Sequence, residues 1–217
     1  YMKITKYEHA CLVIEDNGKV LVLDPGAFDK SFDGSIYCDI LVVTHEHFDH
    51  LNEDKIKSLI KNNPNLKIYT TKHVSEVIKN TANFDSEIVN DGSTIEEGGF
   101  NLKFYGTKHA FIHDLAPPVC DNFGVLINDK LYYPGDSFEL PGIEKVQILA
   151  VPTSGPWLKT GDAMQLILDV NPGKVFPSHN ALNSQDGNEV QAIYLGKACE
   201  KSGSEYFEIK PVETVEV

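Results

Sequence analysis

A chain of 217 residues with 32 acidic and 19 basic side chains, a formal net charge of −13, is long enough to bury one sizeable core. Its acidity argues against a nucleic-acid backbone as partner, because that contact is driven by Lys and Arg neutralising phosphates. No apolar run reaches the length of a membrane span and no basic-then-apolar leader opens the chain. Cys11, Cys38, Cys120 and Cys199 form no Cys-x-x-Cys pair, so a cytoplasmic protein with buried, reduced thiols is expected.

In chain order, Met2 to Glu8 and His9 to Glu15 alternate like strands, Asp16-Asn17-Gly18 is a hairpin turn, and Lys19 to Leu23 continues as a third strand. Asp24-Pro25-Gly26 ends that strand, and a loop rich in Asp, Gly and Phe runs to Tyr37. Ile40 to Val43 reads as a buried strand, Asn52 to Lys55 as a helix start, and Lys55 to Asn62 as a helix stopped by Asn63-Pro64. Leu66 to Thr70 reads as a strand and Val74 to Lys79 as a helix, which His73 opens. From Ser86 strands return: Glu87 to Val89, a piece through Ile95, and Phe100 to Thr107, with His109 at the end of the last. Asn122 to Ile127 and Lys130 to Tyr133 form a hairpin leading to Asp136. Gln147 to Val151 is a strand, Asp162 to Val170 a helix, Lys174 to Pro177 a strand delivering His179, and Glu189 to Lys201 an amphipathic helix. Glu205 to Ile209 could form an edge strand, and little order is expected beyond Pro211. No segment reads as a linker, so residues 1–217 are taken as one domain.

The stretch Thr44-His45-Glu46-His47-Phe48-Asp49-His50-Leu51-Asn52 holds three of the chain's eight histidines. In an extended segment alternate residues share a face, so His45, His47 and Asp49 point one way until the chain turns and His50 comes round beside Asp49. Imidazoles and a carboxylate at this spacing suit zinc or a similar first-row metal. Three later strand ends also carry ligand-type residues: His109, Asp136 in Gly135-Asp136-Ser137, and His179 in Ser178-His179-Asn180. Each has a plainer reading as a loop or turn residue, and His113 rivals His109. His9 is a cleft candidate but equally a satisfied strand histidine.

With Asp24 added, the order and spacing of these residues resemble the metallo-β-lactamase superfamily over nearly the whole chain. The form Thr-His-Glu-His-Phe-Asp-His-Leu-Asn, the Gly-Asp-Ser turn and Val151-Pro152-Thr153-Ser154-Gly155-Pro156 are most similar to the small hydrolases of the ascorbate-6-phosphate lactonase-like branch. The resemblance implies a four-layer αββα sandwich of the α+β class, with two divalent metals at the strand ends. It implies that His45, His47 and His109 hold one metal, that Asp49, His50 and His179 hold the other, and that Asp136 bridges them. Zinc is the expected metal, with manganese, iron or nickel as options. Asp24 and His9 would orient the ligand loop through hydrogen bonds without touching metal.

The implied reaction is hydrolysis of an ester, lactone or phosphoester of a small anionic substrate, by hydroxide generated on the metals, with Asp49 and Asp136 as the catalytic carboxylates. His113, Trp157 and Asn180 are candidates for the substrate wall, offering an acid or base, an apolar face and an amide. A nuclease of the same superfamily would need a basic surface that this chain lacks. A diiron oxidoreductase of the same fold and a metal-binding sensor without turnover are the alternatives.

Overall fold

A computed structural model describes residues 1–142 and 146–217. The chain begins with β1 (Lys3–Lys6), β2 (Leu12–Asp16), β3 (Lys19–Leu23), β4 (Ile40–Val43), α1 (Glu53–Asn62), β5 (Lys67–Thr70), α2 (Lys72–Ala82) and β6 (Glu87–Ile88). It continues through β7 (Thr94–Glu97), β8 (Phe100–Tyr105), β9 (Gly124–Ile127), β10 (Leu131–Tyr133) and β11 (Ile148–Pro152). The last elements are α3 (Thr160–Val170), β12 (Lys174–Ser178), α4 (Gln185–Ser202), β13 (Glu205–Tyr206) and β14 (Glu213–Glu216). Contacts group the chain into two compact units, Tyr1–Asn90 with Ile95–Phe100 and Ile209–Val217, and Asp91–Thr94 with Asn101–Glu208.

The first unit is built on a sheet ordered β14-β1-β2-β3-β4-β5-β6, antiparallel from β14 to β3 and parallel from β3 to β6. Asn17 and Gly18, both with positive φ, close β2 on β3 in the two-residue turn whose twist matches a hairpin. Strand β4 is buried along its whole length, as an all-apolar Ile-Leu-Val-Val run in a parallel layer requires. Helix α1 starts where Asn52 accepts the Lys55 N–H and Glu53 and Asp54 face the positive end of the helix dipole. Ile56 and Leu59 of α1 and Val74 and Ile78 of α2 join Val22, Leu41 and Val43 of the sheet in one core.

The second sheet runs β13-β12-β11-β10-β9-β8-β7, with β10 to β13 parallel and β8 to β10 antiparallel. The second unit has its own core, in which Leu126, Tyr132, Leu149 and Val151 meet Ala163, Leu166 and Ile167 of α3 and Leu195, Ala198 and Cys199 of α4. All four cysteines are free, and Cys120 alone of them is partly exposed.

Two expectations fail. The segment beyond Pro211 is ordered: β14 pairs antiparallel with β1, and Val217 N–H donates to Met2 O at 2.9 Å. Its polar sequence reads as a tail because an edge strand needs only a backbone partner, which β1 supplies. His109 does not end a strand either. Strand β8 stops at Tyr105, Gly106 turns the chain with φ +83°, and His109 follows a single antiparallel bridge between Lys108 and Asp121. Helix α1 starts where expected, capped by Asn52, and α2 starts at Lys72 behind a Thr71 cap, next to the expected His73, whereas α4 starts at Gln185, about a turn before the expected Glu189, behind a Ser184 cap.

Candidate metal centre

In the first unit the candidate residues sit just beyond the carboxyl ends of β3 and β4, where parallel strands leave their ligand-binding edge. Asp24 follows β3 in a left-handed backbone conformation, φ +41°, and is fully buried. Its Oδ1 accepts the Thr44 N–H and its Oδ2 the Thr44 hydroxyl, both at 2.7 Å. The same Oδ2 lies 2.7 Å from His50 Nδ1, which donates to it. His45 Nδ1 is 3.0 Å from the Thr44 hydroxyl oxygen; that hydroxyl proton is committed to Asp24, so the ring nitrogen is the donor. One carboxylate thereby sets the orientation of two imidazoles.

The loop itself is held against the turn before it. Ala27 N–H donates to Phe48 O at 2.9 Å and Asn52 N–H to Pro25 O at 3.2 Å. A β-carbon on Gly26 would lie 1.6 Å from Asp49 O, so no other residue fits that position. His45 and His50 are fully buried, His47 and Asp49 half-buried. The His45 ring centroid is 4.7 Å from that of His47 and 4.1 Å from that of His50.

His9 is brought to the same place: its Nε2 lies 3.2 Å from Asp49 Oδ2, and ligand atoms of His9, Asp49 and His50 fall within 4.8 Å of one another. Its backbone is fixed by Asp29, whose two oxygens accept the His9 N–H at 2.6 Å and the Cys11 N–H at 3.2 Å. Burial pushes the Asp29 carboxyl from 3.8 up to about 6, against the lowering effect of those two hydrogen bonds. Asp29 was not singled out in the sequence, where it is one of several acids in a loop without periodicity.

In the second unit, Asp136, His109 and His179 converge. Asp136 Oδ2 is 3.4 Å from His109 Nε2 and 3.2 Å from His179 Nε2, and all three residues are buried. The indole N–H of Trp157 donates to the same Oδ2 at 2.9 Å. Trp157, read from the sequence as an apolar wall, is therefore also a hydrogen-bond donor to the central carboxylate. Its ring lies edge-on to His109 and His179, at 5.6 and 6.0 Å between centroids. Gly155, φ +133°, admits it: a β-carbon there would sit 2.7 Å from the indole nitrogen.

Asn122, buried and unremarked in the sequence, holds the turn before Asp136 by accepting the Asp136 N–H at 3.0 Å and donating to Pro134 O at 3.1 Å. His179 stands at the end of β12 with φ +53°, a left-handed conformation rare outside Gly, Asn and Asp. His113 lies apart in an exposed turn, where its Nδ1 accepts the Leu115 N–H at 3.1 Å. Asn180 is half-buried next to His179.

The donor chemistry fits a metal cation. His109 Nδ1–H donates to Ala110 O at 2.6 Å and His179 Nδ1–H to Ser154 O at 2.7 Å; a carbonyl can only accept, so each neutral ring carries its lone pair on Nε2. Those two lone pairs face Asp136 Oδ2. Three electron-rich atoms converging out of water repel one another until a proton or a cation is shared among them. In the first unit the Nδ1–H groups of His45 and His50 are engaged in the same way, which puts the ring lone pair on Nε2 there as well. Each unit therefore contributes His and Asp side chains able to bind metal.

Comparison with known proteins agrees with this chemistry. Residues 3–179 match the family model described as a beta-lactamase superfamily domain. A Methanocaldococcus jannaschii protein named UPF0173 metal-dependent hydrolase is 28% identical, over 99% of this chain and 100% of its own. Among solved structures, Igni18, a metallo hydrolase from Ignicoccus hospitalis, superposes with a TM-score of 0.76 at 17% identity, covering 99% of this chain and 97% of that one. CmlA, a diiron β-hydroxylase from Streptomyces venezuelae, gives a TM-score of 0.76 at 14% identity, covering 100% of this chain and 54% of the larger protein. At these identities the structural likeness is one of fold, and the fold is the αββα type expected from the sequence. Among the described residues no helix is long and apolar enough to cross a membrane.

Proposed function

The chain belongs to the metallo-β-lactamase superfamily, and from that premise we propose that it is a metal-dependent hydrolase cleaving an ester, lactone or phosphoester. The observation that carries the reading is the shared tautomer of His45, His50, His109 and His179: each Nδ1–H is bound to an oxygen acceptor, which puts each ring lone pair on Nε2, the nitrogen a metal would take. In this reading His45, His47 and His109 would hold one ion and Asp49, His50 and His179 a second, with Asp136 able to serve either. The family model runs through both compact units, which supports reading residues 1–217 as one domain.

Bound metal would supply Lewis acidity and bring the pKa of a coordinated water to about 7, so that a nucleophile exists at neutral pH. The rest of the task falls to the protein. Asp24 holds His45 and His50 in the ligating orientation through Thr44 and directly. Asn122 fixes the turn that presents Asp136, and Trp157 sets the rotation of its carboxylate. His9, held by Asp29 and facing Asp49, is placed to fix that carboxylate or to pass a proton across it. Zinc is the metal proposed, and the scarcity of anionic groups other than Asp49 and Asp136 among the ligands leaves the centre net positive and suited to an anionic or carbonyl-bearing group.

The test is metal analysis followed by assay of the zinc-loaded protein against lactones, carboxylic esters and phosphodiesters. The expected result is two equivalents of metal, hydrolysis of at least one class, and loss of turnover in Asp136→Ala. Metal binding without turnover of any class would move the reading to a sensor. Iron with oxygen-dependent turnover would move it to an oxidoreductase.

A further inference from the structure

Phe48 stands in the chain between two candidate ligands, His47 and Asp49, and is 62% exposed. It is not loose. Its carbonyl accepts the Ala27 N–H at 2.9 Å, and its ring lies edge-on to Phe28, 5.2 Å between centroids. Phe28 in turn lies edge-on to the buried His9 at 5.2 Å. An aromatic line thus runs from the residue facing Asp49 out to solvent.

The second unit repeats the arrangement beside its own ligand. After His109 the chain leaves in a loop carrying Phe111, Ile112 and Leu115, 61, 36 and 91% exposed. The loop returns to a pinned neck. His109 N–H donates to Cys120 O at 3.0 Å, Lys108 and Asp121 form a bridge and an ion pair at 2.6 Å, and Ala110 N–H donates to Asp136 O at 2.7 Å. Three residues after His179 comes Leu182, 52% exposed.

Single exposed apolar residues are ordinary, but an apolar side chain held out on fixed backbone beside a ligand-bearing turn marks a binding surface within its own unit. Small-molecule sites combine such walls with a few polar groups that orient the reacting end. We propose that the substrate is amphipathic: its polar or anionic head meets the metal ligands, and an alkyl or aryl group adjoining the bond to be cleaved lies against Phe48, beside Asp49 in the first unit. This rests on reading the His/Asp clusters as a substrate-facing metal centre, and it replaces a purely small and anionic substrate with one that also buries apolar surface.

The test separates binding from turnover. Methyl-, butyl- and octylphosphonate, each below its micelle concentration, are titrated calorimetrically into zinc-loaded protein. Each methylene taken out of water is expected to tighten binding about two- to fourfold, giving octylphosphonate an advantage of about 100-fold or more over methylphosphonate. Phe48→Ser is expected to cut that ratio about fivefold or more while methylphosphonate binds within about threefold of the parent. Val190→Ser, at an exposed position of α4 outside every turn that bears a candidate ligand, is expected to leave the ratio unchanged. An octyl-to-methyl ratio below about tenfold overturns the proposal, as does a ratio that survives Phe48→Ser or collapses in Val190→Ser. If the chain-length slope is present but no matching ester or phosphoester is cleaved, the hydrolase reading fails and the amphipathic ligand stands.

Discussion

Replacing Trp157 by Phe tests whether the candidate carboxylate depends on one donated hydrogen bond. Asp136 Oδ2 receives the indole N–H at 2.9 Å in surroundings where both residues are buried. Phenylalanine keeps an aromatic ring beside His109, His179 and Phe138 but has nothing to donate. A hydrogen bond to a charged group out of water is worth about 1.5–3 kcal/mol, and losing a partner that orients a ligand typically costs about 10- to 100-fold in metal affinity. The two ranges agree, since about 1.4 kcal/mol is a factor of ten.

The assay is competition for zinc against a chromophoric chelator. Thermal unfolding at fixed zinc should show a metal-dependent gain in Tm smaller than the parent's by about 3–10 °C. Gly155→Ala perturbs the same contact by another route, because its β-carbon would sit 2.7 Å from the indole nitrogen at φ +133°. It should weaken zinc binding similarly. Trp157→Phe competing within about threefold of the parent would refute the argument, and a loss in Gly155→Ala alone would assign the effect to crowding.

Gly26→Ala should destabilise the fold by several kcal/mol, roughly 3 or more, because its β-carbon meets the backbone of Asp49, whereas Gly196→Ala in the interior of α4, with open space around it, should stabilise by about 0.5–1 kcal/mol; urea unfolding measures both, and equal effects would contradict the contact. His179→Gly should exceed His179→Ala in metal-free stability by about 1 kcal/mol, since both lose the imidazole but only Ala keeps the left-handed penalty at φ +53°; coincident urea midpoints would show that the strain is not there. Asp29 binds its proton more tightly folded than unfolded, so its contribution is fully present below about pH 4 and is lost as pH rises through about 6, by roughly 3 kcal/mol at most. The stability difference between metal-free parent and Asp29→Asn should therefore move against the parent between pH 4 and 6.5 and then level off, and a pH-independent difference would count against a buried, ionising Asp29.

The parts of the fold that local chemistry specifies were legible. Ile40 to Val43 reads as a buried strand, Asn17-Gly18 as a tight hairpin turn, and the histidines crowded after Val43 as a metal-type loop before any partner is known. What was not legible depends on residues far apart in the chain. Asp29 acquires its meaning from the N–H groups of residues 9 and 11, Asn122 from the backbone of residues 134 and 136, and Trp157 from a carboxylate 21 positions earlier. Strand β14 is invisible for the same reason: its alternating Glu-Thr-Val-Glu pattern becomes a strand only when β1 offers a free edge. The early start of α4 is hidden because Gly187 lies in its first turn, where a capping Ser184 outweighs it.

The protein has a single tryptophan, and it is the one bonded to Asp136. Ultraviolet emission excited at long wavelength therefore comes from one spot, a buried indole touching the central carboxylate and flanked by two imidazoles. Any ion or ligand that changes the charge or water content there alters the colour and intensity of the light, so the unmodified chain reports its own occupancy without an attached dye.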